Sequence, residues 1–461
     1  MKPTVAIAGA SGYIGRWLIQ RLKGRYKIVA LSRSEAIDGL EEGVEWRKVE
    51  LFSITSTTEA IRGVDYAVYL IHSMGATTRL NQSSFEDTDL LLADNFVRAA
   101  EFNRIKQIIY LGGIVPLGGD EEKLSTHLRS RLEVEKTLGS RSVPLTALRA
   151  GIIVGPGGSS FKMIEMLIRK LPVMACPSWT RSKTQTISID NTLDILDICL
   201  GNMEAFGKVF EIGSPGVLSY QSMLRETADV MGKRRLIFSV PFLGVGFSKL
   251  WVGFFGESPS RLVSPLVESL QHDMVVSEEL AFSLQKINYQ DYRESVALAF
   301  ALDSSIPRLP KFKKSEEVQN TVRSIQRLPN TRHQSAHWIA NRYKVWLPTF
   351  FRFLITVREN HAGQLGFFLG KSQKPMLQLR WIPDRSDVKR QLFYISGGWL
   401  VKRFDYGWLE FREVLDGRCV ISAIHEFVPR LPWHIYIFTQ AKIHLWVMNR
   451  FKRYLERYEG N

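Results

Sequence analysis

The sequence predicts an α/β protein: a doubly wound parallel sheet carrying a small extra lobe, followed by a C-terminal α+β domain. Three observations support this. Short β-branched runs alternate with helical patterns over the first 150 residues. A chain of 461 residues exceeds what one core serves and suits two. Composition then changes abruptly, with seven of the eleven tryptophans (338, 346, 381, 399, 408, 433 and 446) in the last 125 residues.

In the first region Thr4–Ala8, Lys27–Leu31, Glu45–Val49, Tyr66–Ile71, Gln107–Leu111 and Leu145–Leu148 read as strands, and Tyr13–Lys23, Thr57–Arg62, Asp89–Asn103 and His127–Leu138 as helices. Such alternation gives a parallel sheet covered on both faces, with right-handed crossovers and a binding crevice beyond the C-terminal strand ends. From Gly151 to Asp303 the pattern is less regular: a Gly155-Pro-Gly-Gly158 loop, a helix near Phe161–Lys170, a strand Gln185–Ile189, a helix from Asn191 and a strand-turn from Gly207 to Pro215. This stretch suits a substrate lobe. Residues 304–336, with Pro307, Pro310, Pro329 and the basic run Lys311–Lys314, read as a linker. In 337–461, alternation over Met376–Trp381, Arg390–Tyr394, Trp408–Glu413 and Cys419–Phe427 predicts antiparallel strands, and Pro432–Tyr458 predicts one long helix. The expected division is therefore 1–303, with its lobe at about 151–303, then a basic linker 304–336 and a domain 337–461.

The net charge of +15 is uneven: from Leu302 onward there are 27 basic and 13 acidic residues, against 34 and 33 before it. That excess suits an anionic partner such as a membrane surface, or simply a basic solvated face. Cys176, Cys199 and Cys419 show no ligand spacing, so neither a disulfide framework nor a metal site is expected, and a reducing cytoplasm fits. The start has no charged-then-apolar leader, and export is not expected. The apolar stretch Leu236–Phe255 is broken by Ser239, Pro241, Ser248 and Lys249 and reads as a buried or surface-lying helix rather than a membrane span.

Thr4–Ala8 runs into Gly9-Ala-Ser-Gly12-Tyr-Ile-Gly15 and then a helix. Strand, three-glycine turn and helix in succession let backbone approach a pyrophosphate at a helix N-terminus, so Gly9, Ser11, Gly12, Tyr13, Ile14 and Gly15 are the candidate dinucleotide-binding turn. A tight turn without a ligand is the plainer alternative. After the second strand, Ser32, Arg33 and Ser34 stand where an acidic residue would hold ribose hydroxyls. An arginine with hydroxyls suits a 2′-phosphate, so NADPH is expected in preference to NADH, although Arg33 also fits the adenine face or a solvated loop.

Gly9–Gly15, Leu70-Ile-His-Ser-Met-Gly75, Tyr110-Leu-Gly-Gly113 and His127-Leu-Arg-Ser-Arg-Leu-Glu133 together resemble the atypical short-chain dehydrogenase/reductase superfamily. Within it the chain resembles NmrA-like, NAD(P)-binding Rossmann proteins of bacteria with a C-terminal region of domain-of-unknown-function family 2867. Leu51, Ile71, His72, Ser73 and Gly112, at or just past strand ends, are the further candidate cofactor neighbours. The resemblance implies a tyrosine acid/base with a lysine four residues on. This chain has His127 and Arg131 there, preceded by Ser125. The spacing keeps both on one helical face. His127 as proton donor, Arg131 as anion holder and Ser125 as a further donor form the catalytic candidate. A cofactor site without turnover, or a helix face satisfied by Glu133 and Glu135, remains the alternative.

The aromatic strands before a terminal helix resemble the helix-grip arrangement of START-like domains. Ile435, Phe438, Ala441, Leu445 and Met448 are expected on one helical face, with Pro432 in the first turn. Such a domain offers a pocket for an apolar ligand, a membrane-resting surface or only an aromatic core. Without an RNA-recognition signature or zinc knuckle, nucleic acid is not expected. Two functions follow: an NADPH-dependent oxidoreductase acting on an apolar carbonyl, quinone or enone that the C-terminal domain helps to enclose, or a non-catalytic dinucleotide sensor or scaffold whose C-terminal domain engages a partner, ligand or membrane.

Overall fold

A computed structural model describes residues 2–73, 80–116, 121, 124–240, 268–313, 321–352, 354–360, 364–404 and 406–458. The chain forms two compact units, one of residues 1–72 and 95–314, the other of 73–94 and 315–461.

The first unit is built on seven parallel strands: β1 (Thr4–Ala8), β2 (Lys27–Ser32), β3 (Val44–Lys48), β4 (Tyr66–Tyr69), β5 (Gln107–Gly113), β6 (Leu145–Ala150) and β7 (Val209–Ile212), in the order β7-β6-β5-β4-β1-β2-β3. Central strands such as β1 are buried on both sides, which is why they read as near-continuous apolar runs. Helix α1 (Tyr13–Leu22) buries Gly15, Leu18, Ile19 and Leu22, one stripe at helical spacing. The last three join Val5, Ile7, Ile28, Val68 and Ile109 in the main core.

Helix α2 spans Phe85–Phe102 and α3 Thr126–Leu138, the latter capped by the Ser125 hydroxyl accepting from the Leu128 N–H. The lobe adds a three-stranded sheet from Ile152–Val154, Lys183–Ser188 and Val217–Ser219, together with helices α4 (Ser159–Lys170), α5 (Ile189–Cys199), α6 (Tyr220–Val230) and α7 (Tyr292–Ala301). Leu236–Val240, expected at the start of a helix, is a strand paired in parallel with Val173–Pro177. The rest of that apolar stretch lies outside the described residues, as do Met74 and Gly75. Among the described residues no helix is long and apolar enough to cross a membrane.

The second unit is an eight-stranded sheet. Its strands β8 (Val322–Pro329), β9 (Ile355–Glu359), β10 (Gln364–Leu369), β11 (Leu377–Trp381), β12 (Arg390–Gly397), β13 (Trp408–Val414) and β14 (Cys419–Phe427) run in the order β9-β10-β11-β12-β13-β14-β8, and Leu80–Gln82 pairs in parallel beyond β8. Helices α8 (Ala336–Phe350), α9 (Trp433–Phe438) and α10 (Gln440–Arg457) complete it. Trp346 stacks on Phe350 with centroids 4.7 Å apart, and Tyr343 meets Phe451 edge-on at 5.0 Å.

Several expectations need correction here. The 304–336 segment is no linker: it contains Lys311–Phe312, paired with Ala36–Asp38, and β8, paired along its length with β14. Its arginines look solvated in sequence, but Arg323 is buried against Glu426 at 2.7 Å and Arg327 reaches Asp87 at 2.8 Å. Residues 73–94, expected in the first domain, belong to the second unit. The terminal helix is two helices broken at Thr439 (φ −119, ψ −88), and Pro432 precedes the first turn as its N-cap. The break splits the expected apolar face: Ala441 and Met448 are buried, whereas Ile435 and Phe438 are 51% and 68% exposed.

The second unit also buries charge. Arg412 bonds Asp94 at 2.8 Å and Glu410 at 2.7 Å, Arg390 meets Glu410 at 3.0 Å, and His425 Nε2 lies 3.2 Å from Glu410. The two arginines hold Glu410 well below the usual carboxylate range although its own burial opposes them. An ionised carboxylate only accepts, so Nε2 of His425 carries the proton.

Burial lowers the pKa of His425, and it pushes His444 down to about 4. A histidine with a folded pKa below the unfolded value of about 6.5 takes up its proton on unfolding, so stability is complete above that pH and declines as the pH falls toward the folded pKa. Urea titration of the full chain followed by tryptophan fluorescence should therefore show stability dropping between about pH 7 and 5, by on the order of 1–2 kcal/mol for His444 and in the same direction for His425. His444→Gln should flatten that profile.

Candidate functional site

At the end of β1 the chain turns through Gly9 at φ +92, and the Gly12 N–H donates to the Gly9 carbonyl at 2.9 Å. The left-handed conformation favours glycine at position 9. Gly15 is required for a different reason: a Cβ there would stand 2.3 Å from the Gly9 oxygen and 2.7 Å from the Ala10 Cα. A Cβ on Gly12 would meet only the Gly9 oxygen, at 3.1 Å, leaving space on that side. Gly12 is the N-cap of α1 and has no side chain to close the helix end, and the first turn holds no acidic residue. Its N–H groups are thus available to an anion. This cradle of bare backbone and positive helix end fits a dinucleotide pyrophosphate.

Tyr13 packs against the Gly155–Gly158 loop, where a Cβ on Gly155 would lie 2.4 Å from its hydroxyl oxygen. That hydroxyl is buried without a hydrogen-bond partner among the described residues, and burial together with the Asp190 charge raises its pKa. Trp17 Nε1 donates to the Pro156 carbonyl at 3.4 Å, tying α1 to the same loop.

A cavity of about 430 Å³ opens on the turn. It gathers Gly9, Gly12, Tyr13, Ile14 and Gly15 with His72, Gly112, His127 and Arg131. Its far wall is apolar, with Ile153, Met163, Leu167, Trp179 and Met274. His72 Nε2 and His127 Nε2 are 3.2 Å apart; Ser269 Oγ lies 3.4 Å from His127 Nδ1 and 2.8 Å from Ser125 Oγ. Arg131 donates to the Ile71 carbonyl at 3.4 Å and lies over the Tyr110 ring at 5.8 Å. Glu135 is turned toward Arg149, forming two bonds of 2.7 and 2.9 Å.

Other candidates do not line this cavity. Ser11 and Arg33 are exposed, and the Ser32 hydroxyl donates to the Ser34 carbonyl. The Leu51 carbonyl accepts from the Asn95 side chain at 2.9 Å. Ser73 belongs to the second unit, where its N–H donates to Asp89 at 2.8 Å and its hydroxyl to the Phe85 carbonyl at 3.3 Å. Ser269 and the lobe residues Trp179, Tyr220 and Met274 were absent from the sequence reading. No local pattern marks them; Tyr220 merely opens a helix capped by Ser219.

Residues 9–163 match the family described as NAD(P)H-binding. This segment is an NAD(P)H-binding Rossmann domain. Over 116 residues the chain is 34% identical to auxiliary protein GraX of Staphylococcus aureus (strain NCTC 8325 / PS 47), covering 24% of this chain and 37% of that protein. The chain therefore spans little more than a third of this relative. Over 300 residues it is 21% identical to UDP-glucose 4-epimerase of Vibrio cholerae, covering 60% of this chain and 90% of the epimerase. Among solved structures, the Escherichia coli NADPH-dependent quinone oxidoreductase QOR2 complexed with NADPH aligns at a TM-score of 0.48 with 18% identity, covering 64% of this chain and 99% of that one.

The glycines separate two effects that are measurable independently. Gly15→Ala should lower stability by about 1–3 kcal/mol through overpacking against fixed backbone, seen as a fall in Tm. Gly12→Val, whose Cβ meets the Gly9 oxygen at 3.1 Å, should lower Tm less than Gly15→Ala does yet abolish dinucleotide binding in calorimetry, because its side chain projects where the pyrophosphate approaches.

Proposed function

We propose that the first unit is an NADPH-dependent oxidoreductase of the atypical short-chain type that reduces an apolar carbonyl, quinone or enone. The observation that carries this reading is the cavity itself, which joins the glycine turn to an apolar wall and has His72, His127 and Arg131 on its surface. When bound, the nicotinamide supplies the hydride. The protein's part is to hold the pyrophosphate on the turn and the first N–H groups of α1, to seat an apolar substrate against Trp179 and Met274, and to deliver a proton to the substrate oxygen. Hydride on the carbonyl carbon and a proton on its oxygen turn a carbonyl into an alcohol, hydride on the β-carbon and a proton on the resulting enolate saturate an enone, and for a quinone one hydride and one proton together supply the two electrons and two hydrogens of the hydroquinone.

His127 is the proton donor in this reading. A contact between two Nε2 atoms places a proton on one ring and a lone pair on the other, so His72 is positioned to reprotonate His127. Ser269 and Ser125 orient the ring, and Arg131 holds an anionic part of the cofactor or substrate. Arg33, exposed directly after β2, pairs with the 2′-phosphate and sets the preference for NADPH.

A second reading is a dinucleotide sensor without turnover, favoured by His127 and Arg131 standing where the superfamily has tyrosine and lysine. The free, buried cysteines support a cytoplasmic setting for either function. Exposed Phe438 and Trp446 beneath Lys442 and Arg450 support peripheral contact with an anionic membrane.

Calorimetry with NADPH and NADH, joined to an NADPH-oxidation assay over quinones and enones, tests both. Arg33→Ala should weaken NADPH binding by about tenfold to a hundredfold, the loss of a charge-assisted bond, without affecting NADH. His127→Ala should lower kcat about a hundredfold while NADPH still binds. Tight NADPH binding with no turnover of any acceptor would instead establish the sensor.

A further inference from the structure

The second unit contains its own cavity, of about 210 Å³, which shares no lining residue with the dinucleotide site. Strands contribute Phe367, Leu379, Ile395 and Phe411, and helices Leu347 and Met448. Protein cores hold few voids larger than a water molecule. The space is partly open rather than sealed, and the rings beside it, Tyr343 with Phe451 and Trp346 with Phe350, pack closely on one another. An apolar cavity of about 150 Å³ takes up benzene. The space here suits a somewhat larger molecule of one or two rings.

The polar groups on the wall narrow the chemistry. They are Gln82, Ser324, Ser422, Gln440 and His444, with the phenols of Tyr343 and Tyr436; no lysine, arginine, aspartate or glutamate is among the described lining residues. The Oε1 atoms of both Gln82 and Gln440 are buried without a hydrogen-bond partner among the described residues. The Gln82 amide nitrogen donates to the Ala441 carbonyl at 2.9 Å, which fixes the amide and leaves its oxygen as the free acceptor. His444 Nδ1 is 3.5 Å from Ser324 Oγ, and burial that pushes its pKa down to about 4 keeps the ring neutral near pH 7. A carboxylate entering this space would find no cation to offset its desolvation. A hydroxyl would donate to an acceptor that is otherwise unsatisfied.

We propose that this cavity is a binding site for a neutral hydrophobic alcohol or phenol of one or two rings, whose body fills the space between the sheet and α8 and α10 and whose hydroxyl donates to Gln82 or Gln440. The site is independent of the redox reading and stands or falls without it.

The test is a titration of the full chain with 2-naphthol, followed by NMR of methyl-labelled methionine. Met376 and Met448 line this cavity, whereas Met163 and Met274 line the dinucleotide site, so the signals report which space is entered. The expected result is a saturable one-site shift of Met376 and Met448. Naphthalene, lacking the hydroxyl, should bind about tenfold more weakly, and 2-naphthoate at neutral pH more weakly still. Gln440→Leu should reduce the preference for 2-naphthol over naphthalene, and Leu409→Trp should fill the space and remove binding. Shifts confined to Met163 and Met274, no binding by folded parent protein, or undiminished binding in a Leu409→Trp protein with a native methyl spectrum would overturn the proposal.

Discussion

The approach of Gly15 to the Gly9 carbonyl is the constraint on which the dinucleotide site depends. Because no side chain separates them, α1 starts directly against the end of β1, and its free N–H groups face the crevice instead of a capping side chain. The same placement carries Leu18, Ile19 and Leu22 onto the sheet and lays Tyr13 across the Gly155–Gly158 loop. Core packing and anion binding are therefore consequences of one backbone contact. Glycine serves two purposes within four residues: at position 15 it permits packing, and at position 12 it leaves room for a ligand.

The second unit follows a different logic. One face of β13 presents Leu409 and Phe411 to an apolar cavity, while Glu410 and Arg412, alternating with them, face the buried ion network. A strand of period two can separate the two environments completely. A buried ion pair is weak grounds for inferring net stability, but loss of one partner leaves a costly unpaired charge. The arrangement accordingly disfavours a shift of register, which would drive Arg412 into the apolar space.

How much could be read from the sequence depended on the range of the interactions involved. The turn at Gly9–Gly15 and the strands of the parallel sheet were legible because each is a local pattern: glycine spacing, apolar runs and a following amphipathic helix. β8 was not, because Arg323 and Arg327 find carboxylates remote in sequence and so resemble solvated residues in a one-dimensional reading. The break at Thr439 was hidden by apolar residues that continue through it, although Ile435 and Phe438 remain exposed. His72 was singled out from a strand end, and His127 and Arg131 from the superfamily resemblance, and all three line the cavity, whereas Ser269 reaches His127 across 142 residues and has no signature of its own.

The pairing of Leu80–Gln82 with Val322–Ser324 also imposes an order of events on synthesis. The two strands are separated by roughly 240 residues, which a ribosome working at about 5–20 residues per second takes some 12–50 s to add. For most of that interval Asp87 and Asp94 have been made while Arg327 and Arg412 have not. The second unit is therefore completed late, from an early segment that must wait for its partner strand and its counterions.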